Sequence, residues 1–381
     1  MKPTILLPKK EKILTGILLS VTIVMLLATI VSLIFFRRQM RSVDLPGDED
    51  VQTFDKHYAL IVDDPDDPLW DAVYRQMQKV GEEKNVYVER FGDNLAADYP
   101  KADLLRIAIE SRVDGIILEA DESDEITALI YKAGLENIPV VTVLHDCVGS
   151  GRVSFVGINN YSFGNEYGNL ILKAATEIRA GRKDADEAGD EEAEETTDEP
   201  ETATEGDEGT VRVLILLDGQ TADTSQSIVY AAVQENIEAA GDAARKLIID
   251  TERINANSVF RTEERIRDIV QNNTDLPDII VCLNEQNTAS VYQTLVDQNK
   301  VGQIYVIGYF DSDTILRGIE RKGIYATVTI SAQQMGSDCV EALDEYVNTG
   351  HVSDYFSVDF ACINAQNVSQ YLTKEAEHES D

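Results

Sequence analysis

Acidic and amide side chains gather in short loops that follow apolar runs of the chain. These loops cover residues 63–67, 119–123, 144–149, 218–223, 284–287 and 309–313, and are dense in Asp, Glu and Asn. Carboxylates and amides hold hydrogen bonds in fixed directions, which is the chemistry needed to grip a compound rich in hydroxyl groups. The apolar C–H faces of such a compound pack on aromatic rings. Trp70, the only tryptophan, follows the first of these loops. Catalytic chemistry finds little support. The chain has no Gly-rich phosphate cradle, no G-x-S-x-G elbow and no H-E-x-x-H pair. His145 and Cys147 stand two residues apart, so an extended stretch points them to opposite faces and argues against a thiol–imidazole pair. The 63–67 cluster has oxygen atoms that suit a metal, but a polar turn that caps a helix or faces a ligand fits it better. No catalytic, cofactor-binding or metal-binding residue is therefore assigned, and the chain is not read as an enzyme.

The loops are positioned by alternating strands and helices. Residues 57–62 form a short apolar run and read as a buried strand. Residues 69–84 have helical spacing, with Pro68 suited to the first turn. Strands at 86–91, 115–118 and 138–144 alternate with helices at 101–111 and 124–136, and Asp124 is placed to cap its helix. A second series has strands at 211–217, 247–249, 279–283, 304–309 and 325–330. Its helices fall at 225–239, 257–271, 288–299, 314–321 and 334–349, with a late strand at 356–360. This alternation implies parallel strands joined by crossover helices, an α/β fold. Two consecutive series of similar length predict two similar lobes. In open sheets of this kind ligands bind beyond the carboxyl ends of the strands, where the acidic loops lie.

Between the series, residues 184–208 supply 14 of the 69 acidic residues and contain no Lys, Arg or large apolar side chain. Such a run cannot bury enough apolar surface to offset chain entropy, and disorder is expected. It lacks the regular spacing of a calcium loop.

The formal net charge of −36 over 381 residues argues against nucleic acid as a partner, since phosphates would be repelled. The cysteines at 147, 282, 339 and 362 match no zinc or redox spacing and read as unpaired thiols. Residues 13–36 carry no charge and are long enough to span a bilayer. The run ends in Phe36-Arg37-Arg38 with no small-residue cleavage site, and no cysteine precedes Cys147 to take a lipid. An uncleaved anchor is expected, with a cleaved signal of atypical site as the alternative. Lysines before the span outnumber the arginines after it only slightly, which leans toward a cytoplasmic N-terminus. Residues 37–56 read as a stalk.

Seven local matches, in order, resemble the periplasmic sugar-binding proteins of the ribose- and galactose-binding type, which share their fold with LacI-type effector domains. Asp66-Asp67-Pro68-Leu69-Trp70 resembles the turn that opens their first helix. Val113-Asp114-Gly115-Ile116-Ile117-Leu118 followed by Asp124, and Asn137-Ile138-Pro139-Val140-Val141, resemble the next two segments. Val156-Gly157-Ile158-Asn159-Asn160 with Gly164 resembles the first crossing between lobes. Cys282-Leu283-Asn284-Glu285, Val306-Ile307-Gly308-Tyr309 with Asp311, and Ala326-Thr327-Val328 with Gln334-Met335-Gly336 complete the series. The resemblance covers residues 57–372 and implies a type I periplasmic binding fold: two Rossmann-like lobes with parallel sheets, joined by a three-crossing hinge near Asn159, Ile330 and Phe360. It places lobe I at 57–158 plus 331–358 and lobe II at 159–330 plus 359–373, with a tail at 374–381.

The resemblance also implies a small-molecule ligand, a monosaccharide, in the cleft between the lobes. The residues it points to are Asp67, Trp70 as a stacking ring, His145, Asp146, Asn284 and Asp311. The register of Asp311 carries one extra residue after Gly308. The arginine that relatives carry around 224–230 has no counterpart, and a glutamine of the ribose type aligns with Ile330, so ribose itself is not implied. Tyr309, Phe310 and Glu285 are candidates for reshaping the pocket. The expected role is an extracytoplasmic substrate-binding protein, anchored in the membrane of a Gram-positive cell, that delivers sugar to an ABC-type importer and its permease. The alternative is a sugar-sensor subunit signalling to a histidine kinase. A repressor is set aside, because a membrane span stands where its DNA-binding helices would be.

Overall fold

A computed structural model describes residue 25 and residues 53–192, 209–219, 224–254, 259–272 and 276–372. The expected anchor (apart from residue 25), nearly all of the stalk up to residue 52, and residues 193–208 of the acidic run lie outside the described residues. Among the described residues no helix is long and apolar enough to cross a membrane. The chain divides after Thr53, and every element below belongs to Phe54–Asp381.

The first series runs β1 (Lys56–Ile61), α1 (Pro68–Glu83), β2 (Val86–Arg90), α2 (Lys101–Ser111), β3 (Gly115–Leu118), α3 (Asp124–Leu135), β4 (Val140–Val143) and β5 (Ser154–Gly157). The long helix α4 (Asn160–Glu192) follows. The second series runs β6 (Val211–Asp218), α5 (Thr224–Ala239), β7 (Leu247–Ile254), α6 (Val259–Asn272), β8 (Ile279–Cys282), α7 (Glu285–Asp297), β9 (Tyr305–Tyr309), α8 (Asp313–Glu320) and β10 (Ala326–Ile330). The chain ends with α9 (Ala332–Thr349), β11 (Tyr355–Ser357) and β12 (Phe360–Asn364).

Two six-stranded sheets result, ordered β2-β1-β3-β4-β5-β11 and β7-β6-β8-β9-β10-β12. Their topology is the same, and every pairing is parallel except β10 with β12. The inner strands GIIL, VVTV, IIVC and ATVTI are buried at every position, as parallel strands covered on both faces must be. The chain passes between the sheets three times: after β5 through α4, after β10 through α9, and between β11 and β12.

Each long crossing helix packs on the first helix of the lobe it enters, and a glycine permits the approach. A Cβ on Gly336 of α9 would meet Val73 O of α1 at 2.6 Å, and one on Gly164 of α4 would meet Val229 O of α5 at 2.4 Å. One apolar cluster, including Leu60, Trp70, Phe163, Ile215, Tyr309 and Leu343, draws on both lobes.

Four expectations need correction. The cap of α3 is Ser123, whose Oγ accepts from Ile126 N at 3.3 Å, and Asp124 is the first helical residue. The late strand is two strands in different sheets, separated by Val358 and Asp359. The acidic run does not begin as a loop: α4 continues through residues 184–192. The segment read only as a crossing holds β5 and the start of α4. The four cysteines are free.

Candidate functional site

In both sheets the strand order reverses between the first and third strands of the series, β1/β3 and β6/β8. A crevice opens at such a switch point, at the carboxyl ends of the strands. In the first lobe Glu119 spans it. Glu119 directly follows β3, is only 6% exposed, and accepts from Asp63 N, beyond β1, through Oε2 at 2.8 Å. Its Oε1 lies 3.2 Å from His145 Nδ1, beyond β4. One buried carboxylate thus fastens three loops.

Asp67 ends the β1–α1 loop and caps α1, its Oδ1 accepting from Leu69 N at 2.8 Å. Pro68 follows at the first helical position, where its missing N–H costs nothing. Burial pushes the Asp67 carboxyl up to about 6 against the pull of the Leu69 N–H, and the charges of Glu285, Asp64 and Glu119 push the same way. Glu285 belongs to the second lobe, so the field at Asp67 comes from both sides of the cleft.

The second lobe answers with Asn284, Tyr309 and Asp311. Asn284 caps α7, its Oδ1 accepting from Asn287 N at 2.8 Å. Its carbonyl accepts from Thr288 Oγ1, which in turn accepts from Tyr309 N at 3.1 Å. Asp311 Oδ1 accepts from Thr329 Oγ1 at 2.8 Å, close to the second crossing. The Tyr309 hydroxyl is pushed well up by burial, then by Asp67, Glu119 and Asp311, so it stays a neutral donor. Residues of both lobes therefore converge on Tyr309.

Two bulky residues at strand ends adopt left-handed backbone: Leu144 after β4 (φ 61°) and Phe310 after β9 (φ 73°). Each costs about 1–3 kcal/mol, a strain that concentrates at binding loops. Phe310 is held there by Phe310 N donating to Val328 O and by its carbonyl accepting from Thr327 Oγ1. Across the mouth, Thr224 Oγ1 of the second lobe donates to Glu122 Oε2 of the first at 2.7 Å. At the hinge the Gln334 side chain donates to Ser357 O and accepts from Asp359 N, both at 3.0 Å, and so braces the third crossing.

The expected site residues divide into two groups. Asp67, His145 (through Glu119), Asn284 (beside Glu285) and Asp311 share one region. Asp146 has other employment. Arg152 clamps it, with Nε at 2.5 Å from Oδ1 and Nη2 at 2.8 Å from Oδ2, and Thr142 Oγ1 and Cys147 N add bonds to Oδ1. Burial raises the Asp146 carboxyl, but these partners outweigh it and hold the group below its ordinary value. Trp70 is 3% exposed and packs in the apolar cluster drawn from both lobes. The sequence reading missed Glu119 and Arg152. A carboxylate directly after a buried strand was the available signal for Glu119.

Two doubly wound lobes of one topology, three crossings, and carboxylates and amides meeting between them define a two-lobed binding protein of the hinge type. The chain belongs to the periplasmic binding protein domain family, whose model matches residues 58–351. No curated protein matches it. Solved structures share the fold. The glucose-galactose binding protein GanP of Geobacillus stearothermophilus is 19% identical, with TM-score 0.64 over 82% of this chain and 98% of that one. XylFII is 22% identical, with TM-score 0.63 over 81% and 98%. An ABC transporter solute-binding protein of Burkholderia graminis, in complex with D-arabinose, is 16% identical, with TM-score 0.67 over 84% and 98%.

Proposed function

We propose that the chain captures a small sugar in its interlobe cleft outside the cytoplasm, closes on it, and delivers it to an ABC-type importer. The polar loops of both lobes at the carboxyl ends of their strands, which carry Asp67, Glu119, Asn284 and Asp311 and are joined by the Thr224–Glu122 hydrogen bond, carry this reading. Fixed acceptors and a neutral phenol suit an array of hydroxyl groups, and contacts from both lobes make ligand binding and closure one event. The arabinose and glucose-galactose binders of the same fold support a sugar as ligand. Residues 13–36 would anchor the protein in the membrane.

A second reading, a membrane-anchored sensor subunit acting on a histidine kinase, draws on that uncleaved apolar segment. It is also supported by the XylFII–LytSN complex, in which a chain of this fold is bound to another protein. Purification from native membranes separates the two, since an importer brings down a permease and ATPase and a sensor brings down a kinase.

Sugar binding is tested by thermal shift of the full-length chain with pentoses, hexoses, disaccharides, inositols and autoinducer-type furanoses. A ligand at one hundred times its Kd adds about 2.7 kcal/mol of stability, a shift of several degrees. A midpoint unmoved by every sugar removes the assignment.

A further inference from the structure

The three crossings are hydrogen-bonded to one another. Gly157 O, where the first crossing begins, accepts from Val358 N of the third at 2.8 Å and from the Tyr355 hydroxyl at 3.1 Å. Asp359 O of the third crossing accepts from Ser331 N of the second at 2.9 Å. Val358 and Asp359, the two residues between β11 and β12, are thus each fastened to another crossing. Val358 is 2% exposed and belongs to the apolar cluster drawn from both lobes.

A side chain completes this node. Gln334 stands in the first turn of α9, where its N–H donates to the cap, Ser331 Oγ, at 3.3 Å. Its carboxamide donates to Ser357 O and accepts from Asp359 N, and so bonds the peptide groups on either side of Val358 as a neighbouring strand would. The two bonds do different work. Ser357 ends β11 in the first sheet, and α9 packs on α1 of the same lobe. Asp359 directly precedes β12 in the second sheet. A rotation of the second lobe must pass through the crossings, and at the third it moves Asp359 relative to Ser357. The bond to Asp359 therefore belongs to one arrangement of the lobes. In that arrangement they also touch across the mouth, through Thr224 and Glu122.

We propose that Gln334 is a positioning residue that holds the two lobes closed, and that it raises the affinity of the cleft through the third crossing. The effect on affinity rests on the sugar-binding reading above. When the competent arrangement is populated only in part, the observed affinity is reduced by that fraction. A net hydrogen bond made in one of two arrangements shifts their ratio about threefold to tenfold, and the affinity moves with it.

The test compares Gln334→Met with Gln76→Met in the full-length chain. Gln76 of α1 donates to Ser337 Oγ of α9 at 2.9 Å, a bond with both ends in the first lobe. One readout is the distance, without sugar, between spin labels at two exposed residues, Tyr99 of the first lobe and Glu235 of the second. The other is calorimetric titration with arabinose, glucose and galactose. In Gln334→Met a longer distance should gain population, and Kd for the sugar that binds should rise about threefold to tenfold. Gln76→Met should match wild type in both. A distance distribution or a Kd unchanged in Gln334→Met overturns the proposal, as does an equal change in Gln76→Met. The distance is read without sugar, so it tests Gln334 even if none of the three sugars binds. Silence from all three counts against the sugar-binding reading alone.

Discussion

Asp146 and Asp67 are the same residue type at the same edge of the first sheet, and the fold treats them in opposite ways. Asp146 receives two nitrogens of Arg152, a threonine hydroxyl and a backbone N–H, and its carboxyl is held low. Asp67 receives one backbone N–H, has carboxylates for charged neighbours, and is pushed up to about 6. A carboxylate supplied with all its partners is finished as structure. One left charged among like charges costs stability, and that cost is recovered only when something else arrives.

The contrast is broken most strongly by Arg152→Met. Removing the clamp strands Asp146, and unfolding by denaturant should show a loss of about 3 kcal/mol. The wild-type contribution is present above the ordinary carboxyl range and disappears as pH falls through the depressed value of Asp146, so the two proteins should converge in strong acid. A loss below about 1 kcal/mol would mean that the pair is not structural.

Asp67→Asn should act in the other direction. A carboxyl raised in the fold from 3.8 to about 6 favours folding fully below pH 4, and that advantage is lost as pH rises through 6. The variant should therefore be more stable than wild type at pH 8 by about 2 kcal/mol, roughly 5 °C in Tm, and equal to it at pH 4. Equal stability at both pH values would remove the strain assigned to Asp67. Glu285→Gln should have the smallest effect. By removing one neighbouring charge it should lower the Asp67 titration point followed by carboxyl NMR, at under about 1 kcal/mol in stability. An unmoved titration would place Glu285 outside the field of Asp67.

Much of this arrangement was legible in the sequence. Four-residue apolar runs such as GIIL and IIVC announced buried parallel strands, and the loops after them announced the edge where Asp67, Asn284 and Asp311 stand. Gly164 and Gly336 marked the crossings because two helices must touch there. What stayed hidden was pairing. Nothing local to Asp146 told that Arg152 would fold back on it. Nothing near Trp70 told that α1 would turn the ring into the cluster shared by both lobes. The missed length of α4 has a similar cause: its first turns carry Gly164 and Gly168, poor helix formers kept for close packing on α5. Its last turns lie in an acidic run that reads as loop.

Trp70 provides the most direct measurement. It is the only tryptophan, lies three residues past Asp67, and packs in a cluster drawn from both lobes, so closure on a ligand must change its surroundings. Emission of the full-length chain should be titrated with pentoses and hexoses. The account predicts a saturable change with one of them, lost when Asp67 and Glu285 are both replaced by alanine. Emission that stays constant across the whole series, or a change that survives the double replacement, would contradict a ligand site between the two lobes.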